Sequence, residues 1–151
     1  MAASSGEGQN LSTAAPFCNV RRREGWPERL DEFIASRLRT PFAWGLNDCA
    51  TFAIDWVTEL TGEVVWAVTW RSAREAQETL DRVGGMRAAW IGALGQPTQN
   101  WRSARRGDVG LVDIAGRQCG VVCTGQTWCG PDVERLQHLS LRAALLVWHI
   151  G

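Results

Sequence analysis

Apolar positions recur at helical spacing through the first two-thirds of the chain, then give way to short apolar runs separated by glycine. Leu30, Phe33, Ile34 and Leu38 trace one face of a helix, as a 3.6-residue period requires. Trp26-Pro27 opens it, since proline loses nothing in a first turn whose N–H groups have no intrahelical partner. Glu28, Asp31 and Glu32 suit the positive end of the dipole, and Pro41 stops the helix. A second helix is predicted from near Cys49, with Asn47 or Asp48 as its cap, an apolar stripe of Phe52, Trp56, Val57 and Leu60, and Gly62 as its terminator. Ser72-Ala73-Arg74-Glu75 is a capping box for a third helix that buries Ala76, Leu80 and Val83. Met86 to Leu94 reads as a short fourth helix ending at Gly95.

From residue 108 the period falls towards two. Val109–Ile114, Cys119–Cys123 and Thr127–Cys129 are separated by Ala115-Gly116 and Thr124-Gly125, and Gly130-Pro131-Asp132 follows, the punctuation of an antiparallel meander. Leu145–Ile150 is the expected last strand. Helices followed by strands make an α+β domain with helices packed on one face of an antiparallel sheet. It is placed at residues 25–151, behind an extended arm at 1–24. That arm carries Phe17 and Cys18 as a possible anchor on a partner and ends in Arg21-Arg22-Arg23.

At 151 residues the chain has material for one domain with its own core. Sixteen basic and sixteen acidic residues cancel, which argues against a nucleic-acid partner. No apolar run reaches the ~20 residues of a membrane span, and no secretory signal is visible. Every basic residue is Arg, and nine Trp stand beside no Tyr. The first feature reads as codon bias; the second leaves an assembly role open. Arg21 to Arg23 and Arg105-Arg106 read as solvated or subunit-pairing charges. Five cysteines, an odd number, argue against a disulfide framework. In a strand Cys119 and Cys123 would lie about 13 Å apart at ~3.3 Å per residue, too far to share one tetrahedral zinc. No metal or other cofactor is expected.

Cys49 is the residue with most chemical promise. At a helix start, free N–H groups and the dipole lower a thiol pKa and make a nucleophile if a base stands beside it; its bland reading is a small buried hydrophobe. Asp48 reads as the helix cap before it.

The run Trp44-Gly45-Leu46-Asn47-Asp48-Cys49-Ala50-Thr51-Phe52, with Arg106-Gly107-Asp108-Val109, resembles the nucleophile segment and first-strand motif of NlpC-type cell-wall peptidases. The closest likeness is to a phage tail-associated branch, which shares Pro41-Phe42, Leu60-Thr61-Gly62 and a Trp near the C-terminus. The resemblance spans roughly residues 26–150. It implies a papain-like fold, a place in the virion tail after synthesis in the host cytoplasm, other tail proteins of the tip or baseplate as partners, and peptidoglycan as a substrate of active members. It also implies a His opening the second strand, where this chain has Gln118. An amide cannot take up a proton near neutral pH, so the pattern describes a degenerate site and leaves enzymatic activity open. The catalytic alternative has Cys49 attacking an amide of the cell wall, helix-start N–H groups holding the oxyanion, and His138 as base. His138 itself reads as a loop residue and His149 as a strand-edge residue.

Overall fold

The computed structural model describes residues 20–151; Phe17 and Cys18 lie outside them. Four helices precede five strands: α1 Trp26–Arg37, α2 Thr51–Thr61, α3 Ala73–Val83, α4 Met86–Leu94, then β1 Val109–Ile114, β2 Arg117–Cys123, β3 Trp128–Pro131, β4 Leu136–Leu139 and β5 Ala144–Trp148. The strands form one antiparallel sheet in the order β4-β3-β2-β1-β5. The chain is therefore α+β, as its periodicity predicts.

Alternation along the strands sorts the core into two clusters. Val109, Leu111, Val122, Leu146 and Trp148 meet Leu30, Phe52, Trp56, Leu60 and Trp90 from the helices. Val112, Val121, Cys123, Trp128 and Val147 form a second cluster on the other face, with Trp101, Leu139 and Leu141. That face is closed by the segment around the 3₁₀ turns Trp101–Ser103 and Leu141–Ala143. Buried tryptophans need a partner for the indole N–H. Trp56 donates to the Gly107 carbonyl at 2.9 Å, Trp128 to Leu141 at 3.0 Å and Trp148 to Gly95 at 2.8 Å. The nitrogen of Trp90 is buried with no hydrogen-bond partner among the described residues.

Two side chains expected on buried helix faces, Leu38 and Val83, are 44% and 52% exposed at the ends of their helices, and further expectations are corrected. β4 is a strand where a loop holding His138 was expected; Leu136 and Leu139 are spaced three apart because each serves a different cluster, so the segment lacks the alternation that marks a one-faced strand. Arg22 is neither solvated nor left for another subunit. Its guanidinium lies 12% exposed, 4.3 Å from the Trp26 ring centre, and donates to Ile150 O, Arg106 O and Asp108 Oδ1 at 2.7, 2.7 and 2.9 Å. Arg106 pairs within the chain too, reaching Asp31 at 2.6 Å. The end of the expected arm is thus docked: the Arg23 amide donates to Leu60 O at 2.7 Å, and Val20 packs against the helix-side core.

Candidate functional site

The segment before α2 is organised around one buried carboxylate. Asp48 is fully buried, and its oxygens collect donors from three directions. Oδ1 accepts from the amides of Ala50 and Thr51 at 2.9 and 2.8 Å and from the Thr51 hydroxyl at 3.1 Å. Oδ2 accepts from the Gly45 amide at 2.8 Å and the Trp70 indole at 2.7 Å. The Asp48 amide returns a bond to Thr51 Oγ1 at 2.8 Å. This satisfies the charge that burial would otherwise penalise: Asp48 sits three residues ahead of α2 and accepts from the amides of Ala50, the residue that directly precedes the helix, and of Thr51, its first residue. Gly45 is required here: at φ +81° a side chain is disfavoured, and a Cβ would run into the Trp70 carbonyl.

Cys49 follows in the turn, two residues before α2 begins, and is 6% exposed. Its carbonyl accepts from the Gly120 amide at 2.6 Å, which fastens the start of α2 to β2. Gly120 must lack a side chain, because a Cβ would lie 2.6 Å from Trp90 ring carbon and 3.0 Å from the Cys49 carbonyl. Register places Gln118 opposite Asp113 and Gly120 opposite Leu111, so alternation puts Gln118 on the helix-facing side. Gln118 and Cys49 indeed line one cavity of about 340 Å³, with Trp44, Ala76, Leu80 and Met86 in its wall.

The expected activation of Cys49 is not found. Its thiol is pushed up from the ordinary range, first by a hydrogen bond shared with Cys119, then by burial and the Asp48 charge. The helix-start amides that would stabilise a thiolate already serve the Asp48 carboxylate. Cys119 moves the other way: the bond from Cys49 pulls it down, and Arg117 helps against the effect of burial. Arg117 lies 5.6 Å from the Trp44 ring centre and forms, with Trp44, a wall common to the Cys49 cavity and to a neighbouring one of about 630 Å³ that Cys119 lines. A raised Cys49 thiol with Cys119 as its nearest titrating neighbour, and no imidazole, stands where a thiol–imidazole pair would be needed. Cys119 as a partner, and Trp70 as a support of Asp48, escaped sequence reasoning; only their nearness to Gln118 and to the capping box hinted at them.

The two histidines lie elsewhere. His138 is exposed on β4, two strands from β2, opposite Cys129 in register, with Nδ1 2.8 Å from Thr127 Oγ1; it is not among the residues lining the Cys49 cavity. His149 follows β5, with Nδ1 2.8 Å from Asp108 Oδ2.

Residues 21–150 match the model of one family, DUF6950, described as a domain of unknown function. No curated protein and no solved structure matches the chain.

Proposed function

This chain belongs to the DUF6950 family, and we propose that its domain is a papain-like fold of the NlpC type whose peptidase chemistry has lapsed, kept as a structural component of a phage tail near the tip or baseplate. One observation carries the reading: Cys49 at the head of α2 is bonded through its carbonyl to Gly120 and shares its cavity with Gln118, the position at which the resembled enzymes carry their His. With an amide there and a Cys49 thiol that its surroundings push up, the arrangement keeps the scaffold of a nucleophile site without a base. The catalytic alternative draws no support from His138, whose ring is engaged with Thr127. The tail assignment rests on the resemblance and on the tryptophan-rich composition.

Two measurements test the two halves. Zymography on host peptidoglycan is expected to show no clearing for the wild type or for Cys49→Ala; clearing that depends on Cys49 sinks the lapsed-enzyme half. Quantitative mass spectrometry of purified virions is expected to find the protein in fixed stoichiometry with tail proteins, whereas a protein confined to the lysate overturns the tail half.

A further inference from the structure

Three side chains away from Cys49 stand in an ordered relay. Ser103 ends the 3₁₀ turn Trp101–Ser103, Asp108 directly precedes β1, and His149 directly follows β5. Register pairs Val109 with Trp148, so Asp108 and His149 occupy the next rung of the same ladder. Ser103 Oγ lies 3.3 Å from His149 Nε2, and His149 Nδ1 lies 2.8 Å from Asp108 Oδ2. The group is about 16 Å along β1 from the rung of Gln118, at ~3.3 Å per residue. It is a separate place on the molecule.

We propose that Ser103, His149 and Asp108 form a serine-nucleophile site for hydrolysis of small carboxylic esters. Asp108 is fully buried and is fixed from several sides: Oδ1 accepts from Arg22 at 2.9 Å and the Ile150 amide at 3.1 Å, and Oδ2 accepts from the Arg105 amide at 2.8 Å. A carboxylate so held orients the imidazole with Nδ1–H towards it and leaves Nε2 free to accept a proton. The ring is 40% exposed, so substrate can reach it. Ser103 Oγ donates to Asn100 O at 2.7 Å; rotation of one hydroxyl proton turns that bond to Nε2, and 3.3 Å is within the looser range of sites without substrate. His149 also walls a cavity of about 370 Å³ whose lining mixes Gln96 and Thr98 with Leu94, Pro97, Val147 and Trp148, room beside the ring for a small substrate.

The step balances with water alone. Ser103 Oγ adds to the ester carbonyl carbon while its proton passes to His149 Nε2. The carbon–oxygen bond to the alcohol breaks as Nε2 returns that proton to the departing oxygen. Water then gives a proton to Nε2 and its oxygen to the acyl carbon, and the acyl–Oγ bond breaks as Nε2 passes that proton to Oγ, releasing the carboxylic acid and restoring the serine and the neutral ring.

The full chain is treated with a fluorophosphonate, which phosphonylates activated serines, and assayed with p-nitrophenyl butyrate. The expected result is a phosphonyl adduct on Ser103 by peptide mass spectrometry, lost in Ser103→Ala, with ester hydrolysis lowered by about 100-fold or more in Ser103→Ala and in His149→Gln. The double variant should lose no more than either single one, because such residues act as a unit. Absence of an adduct on Ser103 in the wild type, or hydrolysis equal in Ser103→Ala and wild type, overturns the site. Both readouts are independent of peptidoglycan and of virion content.

Discussion

Trp70 reaches across from the segment before α3 to place its indole N–H 2.7 Å from Oδ2 of Asp48, and both residues are buried. The contact joins the turn ahead of α2 to the chain leading into α3, and it completes the donor set of a charge that has no access to water. Trp70→Phe retains most of the ring volume and deletes one donor. It should cost about 1–3 kcal/mol, the range for leaving a charged acceptor short of a buried partner. Asp48→Asn should cost more, because the amide turns an NH₂ group towards donors that need an oxygen. Urea unfolding of both variants checks the order, and a Trp70→Phe protein as stable as wild type sinks the argument.

Arg22 ties together three otherwise separate places: the carbonyls of Ile150 and Arg106 and the carboxylate of Asp108. Three bonds in three directions use the fork of a guanidinium, which an ammonium cannot reproduce. Arg22→Ala should therefore destabilise by about 3–5 kcal/mol, as expected when one partner of a buried ion pair is removed. Arg22→Lys should recover little of it. Differential scanning calorimetry of the two variants decides, and a lysine variant matching wild type would show that charge alone is what matters.

The pair of thiols predicts an inverted order of reactivity. Cys49 is pushed up by its hydrogen bond with Cys119, by burial and by Asp48, while that same bond and Arg117 pull Cys119 down. As the thiolate is the reacting form, iodoacetamide should modify Cys119 before Cys49 at near-neutral pH. Cys49→Ala removes the bond that stabilises the Cys119 thiolate, so the pH at which Cys119 becomes half reactive should move upward; Arg117→Gln should move it the same way. Peptide mass spectrometry over a pH series reads both. First modification at Cys49 contradicts the assignment.

Much of this architecture is legible from spacing. Four helices announce themselves through apolar stripes and through punctuation such as Pro27, Pro41, Gly62 and the Ser72–Glu75 box, whose forward bond forms as expected at 3.1 Å (Glu75 amide to Ser72 Oγ), while the Glu75 carboxylate accepts from the amide one residue earlier, that of Arg71, at 2.7 Å. The bonds from Asp48 to the amides of Ala50 and Thr51 are equally local, because they are set within three residues. β4 was not legible, since its two leucines face different clusters. Nor was the chemical state of Cys49, which depends on Cys119, 70 residues away in sequence, and on a carboxylate that competes for the helix-start amides. The Ser103–His149–Asp108 relay joins two residues of the α4–β1 connection to one that follows β5, and it has no sequence period at all.

Gly120 shows how closely α2 and α4 press on the sheet. Gly120→Ala sets a methyl carbon 3.0 Å from the Cys49 carbonyl and against the Trp90 ring, and neither neighbour can yield easily because both are buried. Overpacking of this kind should cost about 1–3 kcal/mol. It should also weaken the bond that holds Cys49 to β2, making Cys49 easier to alkylate. A stable Gly120→Ala protein with unchanged Cys49 reactivity contradicts this packing.

Alkaline pH tests the buried thiols of the sheet. Burial pushes Cys129 up to about 12, with the neighbouring Cys123 adding to the effect, and Cys123 is itself raised chiefly by burial. In the unfolded chain both return to the ordinary thiol range of about 8.5. The folded state therefore holds more protons than the unfolded state between those values, and stability falls as pH rises. The contribution is complete below about pH 8.5 and is lost progressively as pH climbs towards about 12. For Cys129 alone the loss from about pH 7 to about pH 10.5 should be on the order of 3 kcal/mol. Cys129→Ala should be less stable at neutral pH, because it leaves a small cavity, yet lose less on going to high pH. Urea midpoints of wild type and variant at the two pH values give the comparison, and parallel losses in both would show that Cys129 does not carry the alkaline sensitivity.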